Sequence, residues 1–520
     1  GAPGECGSRV DERSEEHPGN VAAAPRAYES RTRVTDLTVI VLAAGGGTRM
    51  KSKTMKVLHP IAGRSMIGHV LAAAKAVSPT RIVAVVGHQR EQVGAHIQQI
   101  DPEIVLAVQE TQEGTGHAVR VAMESVGSVS GTVLVITGDT PLLEGSSLRA
   151  FLAAHHDSDR AMTILSGVVQ DPTGYGRIIR DAGGEGVRAI VEERECTPEQ
   201  AAVKEINSGI LAFEAGFLAE ALPRLAPHAH KAEYYLTDTV ALACADGRAV
   251  GAVPIDDWRQ TEGANDRAEL AELAKEKNAR ILRHWMAEGV TVMDPATTWI
   301  DVDVSLAPDV TILPGVQLLG ATSVAEDAVI GPDTTLKDCE VGAGARVVRT
   351  HGELAVISEG ATVGPWSYLR PGTSLGRDGK IGAFVETKNA QIGEGSKVPH
   401  LSYVGDAEIG VGSNIGAGTI FANYDGVEKH HSVIGDHVRT GSDNVFVAPV
   451  NIGDGAVTGA GSIIRRNVPP GALAVSGSPQ RHFDGWVFRR RAGSAAAAAA
   501  QAALDADPGL GHAQPGETES

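Results

Sequence analysis

Residues 391–421, QIGEGSKVPHLSYVGDAEIGVGSNIGAGTIF, decide how the second half of this chain folds. Ile392, Val398 and Val404 stand six residues apart, and Ile409, Ile415 and Phe421 take up the same spacing, with glycine directly after Ile392, Ile409 and Ile415. An α-helix repeats every 3.6 residues and a strand every 2, so neither sustains a period of six. A hexapeptide β-helix does, because each repeat makes one side of a coil and its aliphatic residue points into the stack. The spacing extends outward through Leu306, Ile312, Leu318, Val324, Ile330 and Leu336, through Val363, Leu369, Leu375 and Ile381, and through Ile434, Thr440, Phe446, Ile452, Thr458 and Ile464. Glycine, at 62 of 520 residues, is well above the typical ~7%, as the corners of such coils require. Between Phe421 and Ile434 about one extra repeat is inserted, ANYDGVEKHHS. Insertions in a solenoid emerge as loops on one face, often the binding face.

Upstream the pattern changes. Asp266–Glu288 carries Leu270, Leu273, Ile281, Leu282 and Trp285 at roughly helical spacing and no Pro or Gly, which predicts a linker helix within 265–289. Earlier still, apolar strand candidates at Val39–Leu42, Ile82–Val86, Ile104–Val108, Val133–Ile136 and Met162–Val168 alternate with helix-period segments such as Met66–Val77 and His117–Val126. That alternation predicts βαβ units and a mostly parallel sheet over 37–264. The expected organisation is a disordered tail (1–36), the α/β domain (37–264), the linker helix (265–289), the β-helix (290–486) and a disordered Ala-rich tail (487–520). The first tail has no basic region followed by an apolar one, so no signal peptide is expected. With Gly1 rather than Met at its head, the chain is expected to be processed or to lack its start.

A net charge of −18 opposes general nucleic-acid binding, which needs Lys and Arg to displace counterions from phosphates. It leaves room for a small phosphorylated ligand in a local basic pocket. No apolar run approaches the roughly 18 to 20 residues of a membrane helix, so no integral membrane segment is expected. Cys6, Cys196, Cys244 and Cys339 lie far apart without CxxC spacing. Neither a zinc site nor a disulfide framework is suggested, and a reducing, cytoplasmic location is expected.

Several stretches carry candidate chemistry. Leu42-Ala-Ala-Gly-Gly-Gly-Thr-Arg-Met follows the first strand, with Lys53, Lys56 and His59 close behind. A glycine turn there brings backbone N–H groups to phosphate oxygens, and Arg49 and Lys56 supply positive charge. The same glycines also serve a tight turn, and the motif is neither G-x-G-x-x-G nor a P-loop. Asp139 ends the strand Val133–Gly138 at its carboxyl side, where open α/β sheets bind ligands and where a carboxylate suits Mg²⁺ or merely caps a turn. Gln109–His117 and Pro172–Arg177 read as glycine-rich binding loops or as plain surface turns. Arg370, Lys388, His400, Tyr403, Asn414, Asn423 and Tyr424 interrupt the small-residue pattern of the repeats. A neutral His takes a proton near physiological pH and Arg and Lys hold phosphate, although solvated side chains on a solenoid look alike.

Leu42–Met50, followed by Met55-Lys56-Val57-Leu58-His59, resembles the sugar-nucleotide pyrophosphorylases. The hexad half resembles the left-handed β-helix acyltransferases. Together with RPG at Arg370, FVETKNA at Phe384, HLSYVGDAEIG at His400, NIGAGT at Asn414 and NYDG at Asn423, the chain is similar to one bacterial family. That family is the bifunctional N-acetylglucosamine-1-phosphate uridylyltransferases/glucosamine-1-phosphate acetyltransferases. The resemblance implies a Rossmann-like α/β nucleotidyltransferase domain followed by a left-handed parallel β-helix, assembled as a homotrimer.

It also implies residue roles. In the first half Leu42, Ala43, Ala44 and Gly45 form the nucleotide loop and Lys56 contacts phosphate. Gln109, Gly114 and Thr115 recognise uracil, and Thr137, Gly138 and Asp139 lie near the ribose and metal. Gly176, Glu192, Asn207, Tyr235 and Thr237 surround the sugar, while Asp139 and Asn265 hold Mg²⁺, the one cofactor. UTP and acetyl-CoA are co-substrates, and Arg49 and Lys56 neutralise charge. In the second half Arg370 and Lys388 grip the phosphate of glucosamine 1-phosphate, Tyr403 and Asn414 orient the sugar, and His400 is the base. Ala417, Asn423, Tyr424, Ser442, Ala460 and Gly477 meet acetyl-CoA.

The sequence departs from the family at Met55 (usually Pro), Gly46 (often a side chain), Asp266 (commonly Asn) and Gly477 (Arg in some members). A non-catalytic regulator would have eroded Arg49, Lys56, Asp139 and Asn265, which are all present. A β-helix serving only as scaffold would not need His400, Tyr403, Asn414 and the Asn423-Tyr424 loop together.

Overall fold

The computed structural model describes residues 36–508 apart from 88–89, 229–231 and 478–479. The tail expected over 1–36 lies outside the described residues except for Asp36, as does Cys6. The first half is built on strands β1 (Leu37–Ala43), β2 (Arg81–Val86), β3 (Val105–Val108), β4 (Thr132–Thr137), β5 (Met162–Val168), β6 (Arg177–Arg180), β7 (Val187–Val191), β8 (Glu205–Glu214) and β9 (Val250–Pro254). The main sheet runs β9-β5-β8-β4-β1-β2-β3. Its pairs are parallel except that β8 is antiparallel to both β4 and β5. The reversal follows from connectivity, since β6 and β7 form an antiparallel flap between β5 and β8 instead of a crossover helix.

Strand β1 is buried on both faces, as a central parallel strand must be. Val39 and Val41 pack with Ile67, Val70 and Leu71 of helix α1 (Met66–Lys75), while Ile40 packs on the opposite face with Val119 and Ala122 of a second helix, α2 (Thr115–Val126). Ser65 caps α1 by accepting from Gly68 N at 3.1 Å. A third helix, α3 (Gly145–His156), joins the first face through Leu148 and Phe151. These layers set the carboxyl ends of β1 and β4 side by side, Gly138 N donating to Leu42 O at 2.9 Å.

The second half is a left-handed parallel β-helix. Trp299 pairs with Gln317 and Gln317 with Thr335, a coil of eighteen residues or three hexads. Leu318, Leu336, Gly352, Leu369, Thr387, Val404, Phe421, Phe446 and Ile464 form one inward column through successive coils and are all buried. The break in the six-residue spacing after Leu336 reflects shortened coils: Ser323 pairs with Glu340, and Arg346 with Thr362. Buried hydroxyls satisfy the corners, Ser413 Oγ donating to Gly435 O at 2.7 Å and accepting from Val438 N at 2.8 Å.

The linker helix α4 spans Arg267–Ala287, N-capped by Asp266, which accepts from Ala268 N and Glu269 N. Its Leu273 joins Met50, Ile61 and Leu142 of the first half, and its Leu282 covers the interior of the first coils. Buried Asn278 donates to Thr298 O at 2.8 Å and accepts from Ile300 N at 3.0 Å, tying the helix to the solenoid. The disorder expected over 487–520 gives way, in the described part, to helices Trp486–Arg490 and Ala495–Ala506. Ser494 caps the second, and alanine's helix propensity outweighs the lack of a core to pack against.

Candidate functional site

In the α/β half the glycine turn after β1 wraps Lys56. Gly47 has φ +58°, and a Cβ on it would stand 2.5 Å from Lys56 Cβ, so the turn closes only around glycine. Lys56 Nζ lies 2.5 Å from Asp139 Oδ2 and donates to Asn265 Oδ1 at 3.0 Å. One ammonium thus gathers the end of β4 and the segment leading into α4. Gly263 lies against Asp139 on the other side, a Cβ there falling 3.1 Å from the carboxylate. Arg49 stands exposed on the turn Thr48–Met50 and has no ion-pair partner among the described residues.

Beside this cluster is a cavity of about 250 Å³ lined by Leu42, Ala44, Gly45, Gln109, Gly114 and Thr115, with Gln112, Ala118, Glu233 and Tyr235. Ala43 is buried in the core under the loop and does not line the cavity. Buried Gln109 donates from Nε2 to Gly114 O at 3.1 Å, and Thr115 Oγ1 accepts from Leu236 N at 3.0 Å. Gln112 donates across the cavity to Ala44 O.

A second recess of about 580 Å³ holds Gly174, Glu192, Glu193, Arg194, Glu195, His228 and Tyr235. Tyr235 borders both recesses. Asn207 N donates to Gly176 O at 2.8 Å, and a Cβ on Gly176 would approach Glu192 Oε1 to 3.4 Å, so these three come together where β6, β7 and β8 meet. Thr137 and Gly138 end β4 beneath the cluster, and half-buried Thr237 lies on the turn Leu236–Asp238.

In the β-helix half, equivalent positions on successive coils build one cluster. Arg370 pairs with Glu386 at 3.0 Å. Lys388 lies beside Lys429, whose ammonium, followed by burial and then by Arg370, holds the Lys388 pKa below the usual lysine value. Asp406 accepts from Asn389 Nδ2 at 3.0 Å and from Asn423 Nδ2. Burial pushes the Asp406 carboxyl up, but those two donors, with Lys388 and Lys429, leave it below the usual range. The Tyr403 ring lies over Gly405, and its hydroxyl accepts from Asn423 Nδ2 at 3.5 Å. His400, three residues before Tyr403, is exposed at the end of its strand. Asn414 sits in the wall through Val438 and Thr440 rather than in this hydrogen-bonded cluster. Asp443 N donates to Ala417 O and Gly461 N to Ser442 O, which sets Ala417, Ser442 and Ala460 along one corner of three coils. Gly477 is exposed beyond them.

Four residues that sequence reasoning passed over belong to these sites. Gln112 and Lys429 lay inside stretches already singled out as loops. His228, whose ring is 4.3 Å from that of Tyr235, and Asp406, inside a hexad, gave no signal of their own. The departures from the family pattern have local accounts. Met55 adopts φ −60°, the angle a proline ring fixes, and buries its side chain. Asp266 caps a helix, a task Asp and Asn perform equally. Among the described residues no neighbouring atom lies within 4 Å of a Cβ placed on Gly46 or Gly477, so neither is glycine for want of space against them.

Comparison with known proteins follows the same division. Residues 39–196 match the MobA-like NTP transferase domain. The bifunctional protein GlmU of Kineococcus radiotolerans is 56% identical over 472 residues, covering 91% of this chain and 96% of its own length. The GlmU proteins of Rhodococcus opacus and Streptomyces avermitilis are 57% and 55% identical, each over 89% of this chain and 94% and 97% of their own lengths. Similarity of this order over about nine tenths of the chain shows that the chain belongs to the GlmU family of bifunctional proteins.

Proposed function

We propose that the two sites act in turn on one sugar phosphate, with the residues described above in the following roles. As a member of the GlmU family the chain is a bifunctional transferase that makes UDP-N-acetylglucosamine. It transfers acetyl from acetyl-CoA to the amine of glucosamine 1-phosphate, and uridylyl from UTP to N-acetylglucosamine 1-phosphate with release of pyrophosphate.

The observation that carries the uridylyl assignment is Lys56 held between Asp139 and Asn265 beside the cavity. Leu42, Ala44 and Gly45 floor that cavity, and Gln109, Gly114 and Thr115 offer the polar groups that read a uracil edge. The acidic recess around Glu192 and Tyr235 takes the sugar hydroxyls, with Gly176, Asn207 and Thr237 at its border. Asp139 Oδ2 and Asn265 Oδ1 both face the Lys56 ammonium that stands between them; with that ammonium turned to the phosphates, the two hard oxygens would make a donor set that fits Mg²⁺, which takes few protein ligands and keeps waters and phosphate oxygens. Held by those two residues, Mg²⁺ would supply charge neutralisation at the α-phosphate. A phosphate oxygen of the sugar attacks the α-phosphorus in line and the bond to the β-phosphate breaks, while Arg49 and Lys56 draw off charge.

In the β-helix half Arg370 and Lys388 hold the sugar phosphate and Tyr403 and Asn414 orient the ring. His400 takes the amine proton as nitrogen attacks the thioester carbonyl, and CoA leaves as the thiol. Ala417, Ser442 and Ala460 give a small-residue wall for acetyl-CoA, with Asn423, Tyr424 and Gly477 at its ends. Trp366, Phe384 and Leu401 are 55%, 56% and 61% exposed at one corner of successive coils, which supports burial between copies in a homotrimer. No described helix is long and apolar enough to cross a membrane, and Cys196, Cys244 and Cys339 are free, in keeping with a cytoplasmic enzyme.

A coupled assay with Mg²⁺, following CoA and pyrophosphate separately, tests these roles. His400→Ala is expected to lose CoA release yet make pyrophosphate from supplied N-acetylglucosamine 1-phosphate, and Asp139→Ala to do the reverse. Either variant losing both activities, or neither, sinks the assignment.

A further inference from the structure

The hairpin 423–430, which interrupts the hexad ladder, has no core of its own: Val427 at its tip is 85% exposed. Its shape is held by polar closure. His430 N donates to Asn423 O at 2.8 Å, and Tyr424 bridges Lys429 in antiparallel register. Tyr424 Oη donates to Gly426 O at 2.7 Å. The convergence point is Asp425. Its Oδ1 accepts from Val427 N and Glu428 N, both at 2.8 Å, and its Oδ2 lies 2.7 Å from His430 Nε2. The His430 ring and then the two backbone N–H groups hold the Asp425 carboxyl well below the usual carboxylate range.

This hairpin carries Asn423 and Tyr424, and it also delivers Lys429 to Lys388, near Arg370. Two ammonium groups placed together repel, and a surface lysine left to itself would swing its flexible stem away. The Asp406 carboxylate draws both ammonium groups, and a fixed hairpin backbone keeps Lys429 within its reach, in readiness for an anion.

We propose that Asp425 and His430 are positioning residues of the acetyl-transfer site: their pairing sets the hairpin so that Lys429 joins Lys388 and Arg370 on the sugar phosphate. The proposal rests on the acetyl-transfer reading given above. Neither residue touches the reacting atoms, and the glucosamine 1-phosphate KM carries the effect.

The test measures KM for glucosamine 1-phosphate and kcat in the full-length protein, with uridylyl transfer from supplied N-acetylglucosamine 1-phosphate as an internal control. His430→Ala is expected to raise that KM about five-fold, the effect of losing one exposed hydrogen-bonded pair, with kcat within about two-fold. Asp425→Asn, which weakens the backbone caps as well, raises it about ten-fold. His430→Lys, which presents an N–H donor to Asp425 again, restores KM to within about two-fold of wild type. In a Lys429→Ala background His430→Ala adds nothing further, because the residue it positions is gone. An unchanged KM in both His430→Ala and Asp425→Asn, while His400→Ala abolishes CoA release, overturns the positioning role and leaves the acetyl-transfer reading standing. Full additivity of His430→Ala and Lys429→Ala also overturns it, since the pair would then act independently. Absence of CoA release from the wild type defeats both.

Discussion

Gly47 and Met55 show how single backbone angles hold Lys56. Gly47→Ala puts a side chain at φ +58° and into Lys56, costing about 1–3 kcal/mol locally. Uridylyl transfer is expected to fall about 100-fold while acetyl transfer is unchanged, as separate pyrophosphate and CoA assays would read. Met55→Pro keeps the angle already present, so uridylyl kcat should stay within about two-fold. Thermal unfolding should still register about 1 kcal/mol for the lost burial of the side chain. Much of this detail was legible in the sequence. Lys56, Asp139 and Asn265 sit in short motifs at the ends of strands or at the start of a helix, where order along the chain fixes position. What joins them was not legible: the contact from Lys56 to Asn265 spans 209 residues, and no local pattern encodes it.

At the level of elements, the coil interior is read from its aliphatic column, yet the hydroxyls between the aliphatics matter as much. Ser413→Ala would leave Gly435 O and Val438 N without their partner at a buried corner, a loss of about 1–3 kcal/mol. Phe421→Ala opens a cavity beside Phe446, whose ring is 5.2 Å away, and should cost about 3–5 kcal/mol. Denaturant unfolding of the two variants gives both numbers. The period of six is visible because every coil repeats the same environment. Coil shortening at Glu340 and Thr362 is not, since one dropped residue at a corner resembles a lapse in the pattern. The antiparallel β8 was likewise hidden: its inner run Ile210–Phe213 is as apolar as its parallel neighbours, and the flap before it sets its direction.

Across the whole molecule, acid bears unequally on the two halves. His69 and His155 are buried in the α/β half, one bonded to Ile61 O and the other to Thr163 Oγ1, both at 2.8 Å. Burial first, with nearby positive groups adding to it, lowers each pKa from 6.5 to about 4. Both rings are therefore neutral in the fold, while the unfolded chain gains their protons below about pH 6.5. Stability is complete above that pH and falls as pH drops toward 4, by at most about 3 kcal/mol for each histidine. Hydrogen exchange between pH 7 and 4.5 should show α1 and α3 losing protection relative to the coil strands once intrinsic rates are corrected, and His155→Gln should remove part of the difference. The acetyl-transfer cluster raises a different matter, the tolerance of the chain to gain and loss of sequence. Its members come from equivalent places on neighbouring coils, so ladder spacing, about 4.8 Å per coil, sets their separations. Removing residues 311–328 joins Val310 to Val329 and takes out one turn, because Thr311 and Val329 occupy the same rung. The cluster then moves one step nearer the α/β half with its internal distances intact. A loss of nine residues would instead put every corner where a wall belongs. Change by whole coils is thus the route by which this architecture can lengthen or shorten during evolution without surrendering its chemistry.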